Sequence, residues 1–170
     1  IEDGDIQLRL YATLSLSTMA RLSAIASLRW GQIDMKNCII HDVLEKEGKI
    51  VDLYYNDEVK YLLKALKDDR ERKKKQDKGW LFYTGRTTAD KHISRTTLES
   101  WCKKIGKLID VPSLHPHDFR HSGATMLKNA GMSLEDVSVL LHHESTDTTK
   151  KYYIKQDLQR ISDTKNRFNI

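Results

Sequence analysis

Apolar residues recur at helical intervals along most of this 170-residue chain, and that periodicity constrains its fold more than any other feature. The first run extends from Ile6 to about Ala20, and a shorter one covers Ser23 to Arg29. Residue types that favour helix starts predict further helices beginning at or near Asn56 or Asp57, Ser94, Asp118, Ser133 and Asp147. Only two prolines stand in the chain to interrupt them. The pattern predicts a mainly helical domain.

The helical pattern is interrupted once, by short apolar runs that are typical of strands. These runs are Ile33–Met35, Cys38–Ile40 and Ile50–Leu53, and the polar segments Lys36-Asn37 and Lys46–Lys49 between them have the composition of turns. Short strands joined by short turns pair in the antiparallel sense. We therefore predict an α+β fold class, mainly α with a small three-stranded antiparallel sheet inserted early in the chain.

Charge and composition favour a nucleic-acid partner and argue against a membrane protein. The 29 lysines and arginines exceed the 24 aspartates and glutamates, so the net charge is +5, and a basic surface attracts a polyanion. No apolar run approaches the ~20 residues of a membrane-spanning helix. Cys38 and Cys102 fit no paired-cysteine metal spacing and are too few for a disulfide framework, as expected in a reducing compartment. We expect no membrane association and a cytoplasmic location.

The stretch most informative about chemistry runs from Leu114 to Thr125. His117 and Arg120 are three positions apart, so on a helix they share a face. An imidazole beside a guanidinium can hold a phosphate oxygen while a proton is transferred nearby. The same residues would also suit the solvated start of an ordinary surface helix, so the rest of the chain has to decide between the two interpretations.

Two segments resemble boxes of one enzyme family. His117-Asp118-Phe119-Arg120-His121 closely resembles the histidine-x-x-arginine box of the tyrosine recombinases, the phage and transposon integrase family. Residues 130–152 resemble the C-terminal box of that family, in which a histidine precedes the nucleophilic tyrosine by nine positions, and His143 and Tyr152 keep that interval. The two boxes stand in the family's order.

Two earlier segments extend the resemblance, which runs roughly from residue 19 to residue 152. Residues 20–34 resemble the first arginine box, and the turn at Lys46–Lys49 stands where the family carries its catalytic lysine. Single boxes are only moderately specific, whereas all the expected positions filled in order are strong evidence. Those positions are Arg21, Lys46, His117, Arg120, His143 and Tyr152.

The resemblance implies a role for each of these side chains in site-specific DNA recombination. Arg21 and Arg120 would donate paired hydrogen bonds to the non-bridging phosphate oxygens and stabilise the added charge of the transition state. Tyr152 would attack the phosphorus and form a 3′-phosphotyrosyl intermediate that stores the bond energy without ATP. Arginine at either position could not be replaced conservatively by lysine, which lacks the planar fork.

The remaining roles concern protons. A free phenol has a pKa of about 10, so the nucleophile needs help in losing its proton, and by resemblance His117 is the acceptor. Lys46 would be the general acid for the departing 5′ oxygen of DNA, and His143 would add a hydrogen bond to the phosphate. The guanidinium groups and the lysine supply the positive charge, so the resemblance implies no metal ion and no other cofactor.

Several assignments leave alternatives open. Lys49 lies on the same turn as Lys46, and hairpin lysines are often merely solvated. Tyr153 is adjacent to Tyr152, and because neighbouring helical positions point about 100° apart, only one of the two can face the site. The basic run Arg72–Lys75 would suit either contact with the DNA backbone or a solvated helix end. The histidines interpreted as structural or incidental are His115, His121 and His142.

Three positions depart from the family pattern. Ala24 stands three positions after Arg21, where many members carry a glutamate, so the support around Arg21 is expected to differ. His142 replaces the usual glycine before the C-terminal histidine, which would alter the turn, and Phe119 replaces a common leucine in a conservative change. Arg21 itself lies between apolar residues, and a buried arginine needs an anionic partner.

The resemblance implies a single catalytic domain over residues 1–170 that acts on double-stranded DNA. Four protomers would act together on two duplexes, and residues 154–170 are a candidate segment for docking on a neighbouring protomer. The chain starts without methionine, so we expect it to be an excised fragment that lacks the family's separate N-terminal DNA-binding domain. Two other hypotheses are a type IB topoisomerase, which relaxes a single duplex, and a DNA-binding module without catalysis, which predicts at least one broken catalytic position.

Overall fold

The computed structural model describes residues 3–142 of the chain. The chain divides into two compact units, Ile1–Gly123 and Ala124–Ile170. The first unit contains most of the regular structure, and its elements confirm the predicted mainly helical fold with one small sheet. In chain order the elements are α1 (Asp3–Thr18), α2 (Leu22–Ala26), β1 (Ile33–Asp34), β2 (Ile39–Leu44), β3 (Ile50–Tyr54), α3 (Asp57–Arg72), α4 (Arg95–Leu108), α5 (Pro116–Asn129) and α6 (Leu134–Leu140).

The three strands form one antiparallel sheet in the order β1-β2-β3, as predicted. β2 is longer than the apolar run that predicted it, because its pairing with β3 continues to Leu44, which lies opposite Ile50. An irregularity in the register follows Ile40, and Asp42 there adopts a φ of 53°. The tight turn after β2 is a single turn of 3₁₀ helix, Lys46–Gly48, so Lys46 stands at the tip of the hairpin.

Side-chain caps start the helices where the sequence predicts. Asn56 accepts a hydrogen bond from the Val59 backbone N–H at 3.1 Å and starts α3, and Ser94 accepts one from Thr97 at 3.1 Å and starts α4. α5 begins earlier than predicted, at Pro116, since proline is well suited to the first helical position. None of the helices between residues 3 and 142 is long and apolar enough to cross a membrane.

The core of the first unit is built around Tyr11 on α1, which is 1% exposed. Its ring meets Phe82, Trp101 and Phe119 edge-on, with centroids 6.3, 6.2 and 5.7 Å away. Phe119 is therefore not only a substitute for leucine but an anchor of α5 in the aromatic core. Because it lies between His117 and Arg120, its burial sets the orientation of both.

The burial of two residues, one apolar and one charged, differs from the prediction. The spacing of Leu98, Trp101, Ile105 and Leu108 puts them on one face of α4 and predicts that this face is buried, yet Leu108 is 71% exposed, whereas Cys102 is fully buried. The charged run that begins at Arg70 has the composition of a solvated helix end, yet Arg70 itself is only 3% exposed. Its guanidinium donates to Asp77 at 3.0 Å and to the Leu81 carbonyl at 2.9 Å, so a buried cation joins the end of α3 to the following loop.

The close approach of α5 to α1 requires a glycine at position 123. A Cβ atom there would lie 2.3 Å from the Leu16 carbonyl oxygen and 2.8 Å from Cγ of Met19. We expect Gly123→Ala to lower the free energy of unfolding by about 1–3 kcal/mol, because overpacking outweighs alanine's better helix propensity. Denaturant unfolding measures this change. Gly85→Ala is the matched control, since no atom lies within 4 Å of its Cβ position, and equal stability of the two variants would contradict the prediction.

Candidate active site

Four of the six predicted site residues line one cleft of about 380 Å³ in the first unit. Arg21 comes from the start of α2, Lys46 from the turn between β2 and β3, and His117 and Arg120 from the first turns of α5. Segments that are far apart in the sequence thus contribute to a single cavity. The other two predicted residues, His143 and Tyr152, lie outside the described residues.

Arg120 is the buried cation of the cleft, with 4% of its surface exposed. Its Nη1 donates a hydrogen bond to the carbonyl of Met19, at the point where α1 ends and the chain adopts a φ of 54°. Burial and the neighbouring charge of Arg21 lower the pKa of Arg120 to about 10. The group is still charged at neutral pH, so it brings a fixed positive charge to the base of the cleft.

Arg21 occupies the N-cap position of α2, and about a third of its side chain (32%) is exposed. Its guanidinium forms an ion pair with Glu45, whose side chain is 0% exposed. The second carboxylate oxygen of Glu45 accepts the Arg21 backbone N–H at 3.3 Å. The anionic partner expected for a partly buried arginine is therefore supplied by the protein itself.

Glu45 is a residue that the sequence analysis did not single out. The burial pattern of β2 accounts for its position: Val43 is buried and Leu44 exposed, so strand alternation turns position 45 inward. A carboxylate turned inward requires a cationic partner, and a partly buried arginine requires an anionic one. No local pattern in the sequence indicated this pair, because the two residues are 24 positions apart and the apolar run that predicted the strand ended at Ile40.

His117 and His121 lie one helical turn apart on α5 and contact each other, with ring centroids at 4.4 Å. Desolvation by burial, followed by the positive charge of Arg120, lowers the pKa of His117 below its ordinary value, against the opposing effect of Asp118. The lowered pKa favours the neutral imidazole, which is the form that can accept a proton. His121, predicted to be structural or incidental, is the ring that packs against it.

Lys46 extends from the hairpin turn and is largely solvated, with 72% of its side chain exposed. Its Nζ lies 3.2 Å from Glu47, whose side chain is equally open, and an exposed pair of this kind is weak and easily exchanged for a phosphate. Among the described residues, Lys46 lines the cleft and Lys49 is not part of its lining. The geometry therefore favours Lys46 over Lys49.

The cleft also contains charged residues that the sequence analysis did not assign to it. Arg95, the first residue of α4, lines the cleft together with Glu99 one turn later. His115, the residue before α5, also lines it. In the described part of the chain the lining thus has four lysines and arginines and one glutamate. Such an excess of positive charge suits a phosphodiester.

Comparison with known proteins agrees with this geometry. The model of the phage integrase family matches residues 1–160. The chain belongs to the phage integrase family. This membership confirms the resemblance based on the sequence boxes, which covers nearly the same range.

Relatives of this integrase-family chain are recombinases. It is 30% identical over 150 residues to the tyrosine recombinase XerC of Lactobacillus delbrueckii subsp. bulgaricus, covering 85% of this chain and 49% of that protein. It is 24% identical over 162 residues to a probable integrase/recombinase of Acholeplasma phage L2, covering 95% of this chain and 54% of the relative. The chain thus spans about half the length of the curated relatives it matches.

Solved structures show the same fold. The XerA recombinase superposes with a TM-score of 0.75 at 23% identity, over 88% of this chain and 53% of that one. XerH, a site-specific recombinase solved bound to its difH substrate, superposes with a TM-score of 0.72 at 20% identity, over 90% of this chain and 44% of its own. These similarities establish the fold of the integrase-family chain as that of recombinase catalytic domains.

The lowered pKa of His117 has a measurable consequence. A histidine whose neutral form is favoured in the folded chain contributes stability above its unfolded pKa of about 6.5, and that contribution is lost as the pH falls through the folded value. We expect the ring C–H signals of His117 to titrate with a midpoint below 6.5 by NMR. The His117→Gln variant identifies the signals and should lose stability less steeply on acidification, whereas a midpoint at or above 6.5 would contradict the burial argument.

Proposed function

We propose that this integrase-family chain is the catalytic part of a tyrosine recombinase that cuts and rejoins DNA through a covalent bond to Tyr152. The observation that carries the proposal is the convergence of Arg21, Lys46, His117 and Arg120 in one cationic cleft. The DNA-binding module without catalysis predicts a broken catalytic position, and none of these four described positions is broken. Membership of the phage integrase family favours recombination over topoisomerase IB chemistry.

The proposed reaction begins at a phosphodiester held by two guanidiniums. Arg21 and Arg120 donate to its non-bridging oxygens, so that the charge added in the transition state is met by fixed positive groups in a partly desolvated cleft. The neutral imidazole of His117 accepts the phenolic proton of Tyr152, and the Tyr152 oxygen forms a bond to phosphorus. His143 is proposed to donate a further hydrogen bond to the phosphate.

The bond between phosphorus and the 5′ oxygen breaks in the same step, and Lys46 protonates the departing oxygen. A 5′ hydroxyl of a partner strand then attacks the phosphorus and gives its proton to Lys46. The bond between phosphorus and the Tyr152 oxygen breaks, and His117 returns the phenolic proton to Tyr152. Because one phosphodiester is exchanged for another, the proposed cycle needs no nucleotide cofactor. The positive charge that a metal ion would otherwise supply comes from Arg21, Arg120 and Lys46. The exposed position of Lys46 at the hairpin tip is suited to reaching an incoming DNA strand.

Double-stranded DNA is the proposed substrate, supported by the net charge of +5 and by the cationic cleft. XerH was solved with a DNA substrate, and an integrase of the transposon Tn1549 with transposon-end DNA. We further propose that four protomers act on two duplexes, with residues 154–170 docking on a neighbour. A cytoplasmic location remains a prediction from the sequence.

Covalent trapping tests the proposed function. The chain is incubated with nicked suicide duplexes from a randomised pool in the presence of a chelator, and the detergent-resistant adduct is digested and analysed by peptide mass. We expect a DNA-linked peptide that contains Tyr152. If the full-length protein forms no adduct even on its own recombination site, the enzymatic proposal is wrong and the DNA-binding module remains.

A further inference from the structure

The buried carboxylate of Glu45 lies directly behind the cleft. Its side chain is 0% exposed, although an isolated carboxylate in such a position is strongly disfavoured. One oxygen receives Nη1 of Arg21, and the other receives the Arg21 backbone N–H at 3.3 Å. Glu45 thus holds both the guanidinium and the main chain of the same arginine.

The main chain of Glu45 ties the same contact to the hairpin. Its N–H donates to the Lys49 carbonyl at 2.7 Å and closes the turn, and Lys46 is the next residue in the chain. The turn Lys46–Gly48 therefore begins immediately at the residue that grips Arg21. Any shift of the hairpin relative to α2 would have to break this buried ion pair.

We propose that Glu45 is a positioning residue that holds the Arg21 guanidinium in the cleft and sets its place relative to Lys46. This inference rests on the proposed function, in which Arg21 grips the phosphate and Lys46 protonates the leaving oxygen. Ala24, at the position where many family members carry a glutamate, is 0% exposed and has no carboxylate to offer. In this chain the carboxylate comes from Glu45 at the β2–β3 hairpin and not from α2, the helix that contains Ala24.

Charge balance supports the assignment. Arg21 and Arg120 are close enough for the charge of Arg21 to lower the pKa of Arg120, and Glu45 acts on the same pKa in the opposite direction. Two guanidiniums that must grip one phosphate repel each other until the phosphate arrives. A carboxylate behind Arg21 offsets that repulsion, while the exposed third of the arginine still faces the cleft.

The first experiment needs no DNA. Guanidinium N–H signals of the chain are recorded by ¹H–¹⁵N NMR, and an Arg21→Lys variant identifies those of Arg21. We expect slowly rotating Nη signals from Arg21 in the wild type and their averaging in Glu45→Gln, with the remaining spectrum unchanged. Unaltered Arg21 signals in Glu45→Gln would overturn the proposal. If Glu45→Gln does not fold, the same spectra are recorded for Glu45→Asp. Its carboxylate is one methylene shorter and should hold the Arg21 guanidinium less tightly, so averaging of the Arg21 signals is expected there too.

The second experiment measures the rate of adduct formation on the suicide duplexes. We expect Glu45→Gln to lower the rate about 100-fold at temperatures where it is fully folded, because small displacements of a phosphate-binding group are costly. The rate of Glu45→Asp should lie between those of the wild type and Glu45→Gln. Asp69→Asn is the matched control, because Asp69 is a buried carboxylate paired with Arg72 and Lys73 on α3, away from the cleft. Its rate should equal that of the wild type.

The two experiments separate the possible failures. A wild-type rate in folded Glu45→Gln, or an equal loss in Asp69→Asn, would overturn the positioning role and leave Glu45 with a structural one. If the wild type itself forms no adduct, the proposed function fails, and the guanidinium spectra still decide whether Glu45 holds Arg21.

Discussion

Replacing Tyr152 with phenylalanine should abolish the covalent protein–DNA adduct completely. Phenylalanine retains the ring and lacks the oxygen that bonds to phosphorus, so no other group takes over the reaction at a measurable rate. The measurement is a denaturing gel of end-labelled suicide duplexes after long incubation. Binding of the same DNA, measured by a mobility shift at fixed salt, should be retained because the lysines and arginines proposed to contact phosphates are unchanged.

Tyr153→Phe is the matched control for this prediction. It removes an identical hydroxyl from the adjacent position, and adjacent positions of any helix point about 100° apart. We expect its adduct yield to equal that of the wild type. An adduct that persists in Tyr152→Phe and disappears in Tyr153→Phe would move the nucleophile by one residue. An adduct that persists in both single variants would contradict Tyr152 as the sole nucleophile.

Replacing Arg120 with lysine should lower the rate of adduct formation by about 10²–10³-fold, the usual effect of losing one fixed donor to a developing oxyanion. Lysine retains the positive charge and loses the planar fork that grips two oxygens at once. The guanidinium of Arg120 also donates to the Met19 carbonyl, so it both holds the end of α1 and presents its charge to the cleft. A single ammonium group cannot fulfil both requirements in the same geometry.

The measurement is a single-turnover rate of adduct formation, together with a thermal unfolding curve. Arg86→Lys, an exposed arginine on a loop outside the cleft lining, is the control and should leave the rate unchanged. A reduction below tenfold in a folded Arg120→Lys protein would contradict the assignment of Arg120 as a phosphate donor. If the rate of Arg120→Lys falls only in proportion to the fraction of protein that is unfolded, Arg120 has a structural role.

The helical and strand elements of this protein could be predicted from local patterns. The cap residues Asn56, Ser94 and Ser133 accept hydrogen bonds from backbone N–H groups three positions later, as their residue types suggested. The sheet has the predicted strand number and antiparallel sense. These features depend on interactions within a few residues, so the sequence contains them directly.

Boundaries and individual burial states were less predictable. Arg70 was expected in a solvated helix end, and its burial depends on Asp77 and on a loop carbonyl, which no helical periodicity reveals. Leu108 was assigned to the buried face of α4 by spacing alone, and it lies where that helix ends and no neighbour covers it enough to reduce its 71% exposure. Spacing identifies a face, but burial depends on what the fold brings against it.

The candidate site shows the same division. The ordered resemblance of four segments to the boxes of the tyrosine recombinases was sufficient to propose Arg21, Lys46, His117 and Arg120 as one set, and the chemistry of a phosphodiester explains why those residue types stand there. Only the tertiary structure brought Glu45 to Arg21 across 24 positions and Arg120 to Met19 across 101. The local sequence specifies which charged groups are available. Long-range packing decides which of them are buried next to each other, and because a buried charge requires an opposite partner, burial determines the pairs.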